Sequence, residues 1–77
     1  MLNWKYKVDI TEFITFGVSF QEAYEGINEK LAQVPIPLPD DWHRNIGFAI
    51  ATGNDKTFDR ALSSLYKWAD ENLIWLG

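Results

Sequence analysis

Leu2-Asn3-Trp4-Lys5-Tyr6-Lys7-Val8-Asp9-Ile10 is the stretch that decides the kind of fold this chain builds. Apolar and polar side chains alternate without a break. An extended backbone therefore puts Leu2, Trp4, Tyr6, Val8 and Ile10 on one face and Asn3, Lys5, Lys7 and Asp9 on the other. Aromatic and β-branched residues suit such a pleated, half-buried surface. The stretch reads as a β-strand with one apolar and one largely basic face. Without it the remaining periodicity would describe a helical bundle; with it the fold class is α+β.

Working outward, Ile14, Phe16, Val18 and Phe20 also alternate. They predict a second strand, paired with the first through a turn at residues 9–12. That turn lacks the Asn-Gly or Asp-Gly pair that favours a tight hairpin. A short helical turn starting at Thr11 is the competing expectation. Ser19-Phe20-Gln21-Glu22 then has the spacing of a capping box, in which Ser19 caps the new helix. A first helix is expected over residues 20–34. Phe20, Ala23, Tyr24, Ile27, Leu31 and Val34 share its inner side, and Glu22, Glu25 and Glu29 its outer side.

Pro35-Ile36-Pro37-Leu38-Pro39 stops that helix and imposes an extended path, with Ile36 and Leu38 turned inward. Asp40-Asp41 is a natural N-terminal signal for a second helix over residues 41–52. Trp42, Ile46, Ala49 and Ile50 form its apolar face, and Gly53 is its stop. A third helix begins near Asn54 or Asp55. Phe58, Ala61, Leu62, Leu65, Ala69, Leu73 and Leu76 keep helical spacing to the last residues. Asp70-Glu71 is unfavourable near a helix C-terminus, so a stop near Asn72 is expected, leaving an apolar tail over residues 73–76. The reading is one small domain over residues 1–77: an N-terminal β-strand or hairpin, three α-helices and a short apolar C-terminal tail.

The 77 residues leave room for one core, and cysteine is absent. Neither disulfides nor thiolate metal sites are available to stabilise it. Five phenylalanines, four tryptophans and three tyrosines fill that role. The lack of cysteine in so short a chain favours the cytoplasm, and no apolar run resembles a signal peptide or a membrane helix. A net charge of −4 argues against binding duplex DNA through its phosphates.

Motifs for chemistry are sparse. The one histidine, His43, has no nucleophile spaced to use it, and it reads as a half-buried or first-turn residue. Asp40, Asp41 and His43 are too close in sequence to face one another on a helix, so they do not make a metal site. Glu22, Glu25 and Glu29 form a solvated stripe rather than a carboxylate pair across a cleft. The glycines are scattered and contain no phosphate-binding loop. The prolines recur every second residue, unlike the Pro-x-x-Pro ligands of polyproline readers. No cofactor is expected, and the chain is not read as an enzyme.

The functional expectation therefore rests on side chains that a small core does not use. Phe48 is out of phase with its helix, pointing toward Arg44 and Ala51 instead of Trp42, Ile46 and Ile50. Trp75, with Ile74, lies in the apolar tail. Phe48, Trp75, Ile74 and Arg44 are the expected interface. Glu22, Glu25 and Glu29 on one side and Lys56, Arg60 and Lys67 on the other are its expected charged rim. The expected function is non-catalytic: an interaction or regulatory protein acting through an aromatic surface on a protein partner or a second copy. The first alternative is a helix-turn-helix-like DNA-binding regulator reading through the third helix. Its basic stripe, Lys56, Arg60 and Lys67, is thin phosphate coverage, and Asn54 and Asp59 stand where such motifs place apolar residues. An enzyme, or a minor subunit of one, is the second alternative.

Overall fold

A computed structural model describes residues 3–15 and 17–77. A short strand, β1 (Tyr6–Lys7), leads into a single 3₁₀ turn at Thr11–Phe13. Three helices follow: α1 (Phe20–Leu31), α2 (Asp40–Thr52) and α3 (Asp55–Glu71). A last strand, β2 (Ile74–Trp75), completes the α+β fold.

The alternation at the N-terminus survives in the burial. Val8 and Ile10 are buried and Trp4 and Tyr6 half-buried, while Asn3, Lys5, Lys7 and Asp9 are exposed. Leu2 and Phe16 lie outside the described residues. The partner of β1 is not the stretch that follows it. β1 pairs in parallel with β2, with Tyr6 opposite Ile74 and Lys7 opposite Trp75. Further backbone bonds extend the pairing: Lys5 donates to the Leu73 carbonyl at 2.7 Å, Val8 to that of Trp75 at 2.8 Å, and Ile10 to that of Leu76 at 3.2 Å.

The expected hairpin is thus replaced by its competitor, and the reason is local. The Asp9 carboxylate accepts hydrogen bonds from the Thr11 amide at 2.9 Å and from its hydroxyl at 2.6 Å. An aspartate bonding two residues ahead makes a turn by itself. The Phe13 amide then donates to the Ile10 carbonyl at 3.0 Å, which winds the chain instead of returning it as a strand. Phe13 lies over Gly26 of α1, and Lys30 pairs with Glu12 and donates to the Asp9 carbonyl at 3.1 Å. Ile14 and Val18, expected in the second strand, pack half-buried against the core instead.

Each helix boundary has an identifiable cause. The Ser19 hydroxyl accepts from the Glu22 amide at 3.1 Å, and the Asn54 side chain accepts from the Thr57 amide at 3.0 Å. Gly53 ends α2 with φ +69, a conformation glycine adopts without steric cost. α1 ends at Leu31, short of residue 34, because proline at 35 disfavours helical geometry in the residue before it. Val34 is buried all the same, 5% exposed, and Ile36 and Leu38 pack against the core as expected.

The core is one continuous cluster. Trp42 is wholly enclosed, with Ile10, Ile27, Ile46, Leu65 and Ile74. Its indole N–H donates to the Asn28 Oδ1 at 3.0 Å, so the polar edge of the central ring is satisfied. Phe20 and Phe58 stack at 4.4 Å between ring centres and tie the starts of α1 and α3 together.

Gly26 gives a test of this packing. A methyl group there would overlap the Phe13 ring. Gly26→Ala should therefore destabilise the protein by about 1 kcal/mol, despite the better helix propensity of alanine. In a Phe13→Ala background the same change should stabilise it, by up to about 1 kcal/mol. Denaturant unfolding of the four proteins reads this reversal of sign directly.

Candidate functional site

α2 is the helix on which the outward and inward sets are easiest to separate. At 100° per residue, Trp42, Ile46 and Ala49 fall on one side, and all three are buried. Asp41, Arg44, Gly47, Phe48, Ala51 and Thr52 fall on the other side, and all are exposed. Phe48 is 56% exposed in the middle of this face. Its backbone carbonyl accepts from the Thr52 hydroxyl at 2.8 Å. Arg44 stands 3.4 Å from Asp41, one turn away, in an ion pair that water screens on both sides.

Among the described residues, Trp75 is the other large apolar side chain at the surface, 39% exposed. The pleat explains it: Ile74 and Leu76 turn into the core, at 1% and 3% exposure, so the residue between them turns out beside Lys7. Ile74 is therefore a core residue and leaves the expected interface set. α2 packs on α3 and α1, whereas β2 packs on α3 and β1. Phe48 and Trp75 thus sit on elements whose shared neighbour is α3.

The expected rim charges are at the surface. Glu22, Glu25 and Glu29 line α1, and Lys56, Arg60 and Lys67 line α3, all exposed. Gln21 donates to Glu25 at 2.8 Å on the exposed side of α1. Asn54 and Asp59 are exposed as well, so the α2–α3 turn carries no buried apolar residue at those two positions. Lys5 and Lys7 also face solvent.

His43 lies exposed in the first turn of α2, further out than a half-buried residue. Its Nδ1 shares a hydrogen bond with the Tyr24 hydroxyl at 2.9 Å, and the two rings meet edge to face. This polar pair bridges α1 and α2 next to the Trp42–Asn28 bond. Among the described residues, no group of three or more histidine, aspartate or glutamate side chains converges on a point that could hold a metal ion. Among the described residues, open grooves of about 400 and 390 Å³ lie at the surface. The first runs between the start of α2 and α3, over Trp68, Ser64 and Lys67; the second lies over Phe13, Phe20 and Phe58. Neither is lined by Phe48 or Trp75, which stand on the surface as projections. Sequence reasoning assigned no role to the second groove. Its floor, the Phe20–Phe58 stack, joins two helix starts that no local pattern relates.

No family model, no curated protein and no solved structure matches this chain. Among the described residues, no helix is long and apolar enough to cross a membrane.

Two groups at the β1 end titrate away from their ordinary values. The Thr11 hydroxyl and amide bonds, helped by Lys30, hold the Asp9 carboxyl below the usual carboxylate range. Burial, with a smaller push from the Asp9 charge, raises the Tyr66 hydroxyl. A depressed folded value means that the Asp9 contribution to stability is present above the unfolded pKa and lost as pH falls through the folded one. A raised folded value means that the Tyr66 contribution is present below the unfolded pKa and lost as pH rises through the folded one. Side-chain NMR titration should show Thr11→Val moving Asp9 up toward its ordinary value. Asp9→Asn should move Tyr66 down without returning it to that of a free phenol, because burial is the larger cause.

Proposed function

We propose that this chain is a non-catalytic interaction or regulatory protein that binds a protein partner, or a second copy of itself, through an aromatic surface centred on Phe48. The exposure of Phe48 in mid-helix, on a face the core does not use, is the observation that supports this reading. Aromatic residues are enriched at the centres of protein interfaces, where they bury much area at little cost in side-chain entropy. Arg44 borders Phe48 on the same face, and Gly47 and Ala51 leave room beside the ring for a partner's side chains. Trp75 with Lys7 offers a second, smaller contact on the outer face of the strand pair. The charged stripes of α1 and α3 then act at the rim, where they govern encounter rate and discrimination more than affinity.

Phe48→Ala should change folding stability by no more than about 0.5 kcal/mol, as expected of a surface substitution. Affinity capture from the native cell, with mass spectrometry, should recover a stoichiometric protein with the wild type and lose it with Phe48→Ala. That capture should persist at elevated salt, unlike the steep salt dependence of phosphate-driven DNA binding. Recovery of nucleic acid in place of protein, or identical capture and sedimentation by Phe48→Ala and wild type, would remove this reading.

A further inference from the structure

The joint between α3 and β2 is very short and carries a strained residue. α3 ends at Glu71, β2 begins at Ile74, and only Asn72 and Leu73 lie between them. Leu73 has φ +58 and is, among the described residues, the one non-glycine with a positive φ. In that left-handed region the Cβ of an L-residue crowds the following carbonyl oxygen. The chain accepts the strain because the tail beyond it is needed in the core, where Ile74 is 1% and Leu76 3% exposed. Asn72 stabilises the bend by donating from its side chain to the Trp68 carbonyl at 2.8 Å, and the Leu73 amide donates to that of Asp70 at 3.3 Å.

The same residues are compatible with a straight joint. The apolar spacing of α3, through Leu65, Ala69 and Leu73, is helical past the bend. If α3 ran on through Leu73, the left-handed residue would become right-handed. Asp70 and Glu71 would also move away from the helix C-terminus, where their charge is unfavourable. The cost is that the tail could no longer reach its own β1. A second copy removes this cost. Its β1, Val8 and Ile10 offer the same amides and the same apolar slot to a tail from either chain.

We propose that residues 73–77 are exchangeable between two copies of this chain, each tail pairing in parallel with the β1 of the other. The exchanged dimer repeats the β1 pairing and the burial of Ile74 and Leu76, so the balance is set by the joint, by the Lys5 and Tyr6 bonds to the Leu73 carbonyl and by the entropy of association. Strain in a short hinge is the condition that favours such an exchange. This inference does not depend on the Phe48 surface, which lies on α2 and takes no part in the joint.

The register supplies a direct test. Lys7 and Trp75 are opposite each other across the strand pair, both at the surface, and the chain has no cysteine of its own. Lys7→Cys and Trp75→Cys proteins, mixed, unfolded and refolded together at high concentration, can join position 7 to position 75 only between chains. Exchange predicts that mixed disulfide as the main cross-linked product, and a dimer of the refolded wild type in sedimentation. Leu73→Gly, which removes the strain and disfavours the straight helix, should weaken that dimer on the order of 100-fold, from about 1–2 kcal/mol relieved in each chain. The double Lys7→Cys, Trp75→Cys protein, diluted, should close the same disulfide within one chain and so report that the strand pair still forms. Overturning results are a wild type that stays monomeric after concentrated refolding, or cross-links only between identical positions.

Discussion

The whole architecture depends on the parallel pairing of the two ends of the described chain. β1 alone is a two-residue strand, and so is β2. Isolated strand pairs are marginal in water, and these persist because the pairing is also a core contact. Val8 and Ile10 from one end meet Ile74 and Leu76 from the other inside the cluster that holds Trp42. The helices between them are thereby closed into a ring with a common interior. A long loop costs only a slowly growing entropy to close, so the ends can be far apart in sequence and still be the seam of the domain. A domain without disulfides gains from this arrangement what a covalent clasp would supply elsewhere.

The seam also explains which parts of the fold the sequence made legible. Ser19 and Asn54 as caps, Gly53 as a stop and the proline run after Val34 are local signals, and each acts within a few residues of itself. The three helices are accordingly readable from spacing and caps. Strand pairing is not local. Alternation at residues 2–10 identifies an apolar face but says nothing about which segment will lie beside it. The nearest alternating stretch, Ile14 to Phe20, was the natural candidate, and it is excluded by something alternation does not register: the Asp9 carboxylate organising a turn on Thr11.

The candidate site divides in the same way. Phe48 was legible because helical phase is local, and the phase that buries Trp42, Ile46 and Ala49 forces residue 48 outward. Trp75 was legible as a leftover, but Ile74 was grouped with it. As interface residues the two would share a side, whereas a strand turns alternate residues to opposite sides. Period-two reading of Ile74-Trp75-Leu76 separates them at once. His43 illustrates a different loss of information. Its position on the helix wheel was readable, but its bond to Tyr24 depends on how α1 crosses α2.

Phe48 and Trp75 are therefore not equivalent residues, although both are large, apolar and at the surface. Trp75 has a structural reason to be where it is. The pairing of Ile74 with Tyr6 fixes the pleat, and the pleat places an indole beside Lys7, where more than half of its surface is covered. Phe48 has no counterpart of this kind. The helix would form with a polar residue at 48, the core lies on the opposite side, and Arg44 is engaged with Asp41 one turn back. An exposed phenylalanine adds less to folding than a buried one and raises the tendency to associate. Of the twelve aromatic residues, Phe48 is thus the described one whose position folding explains least.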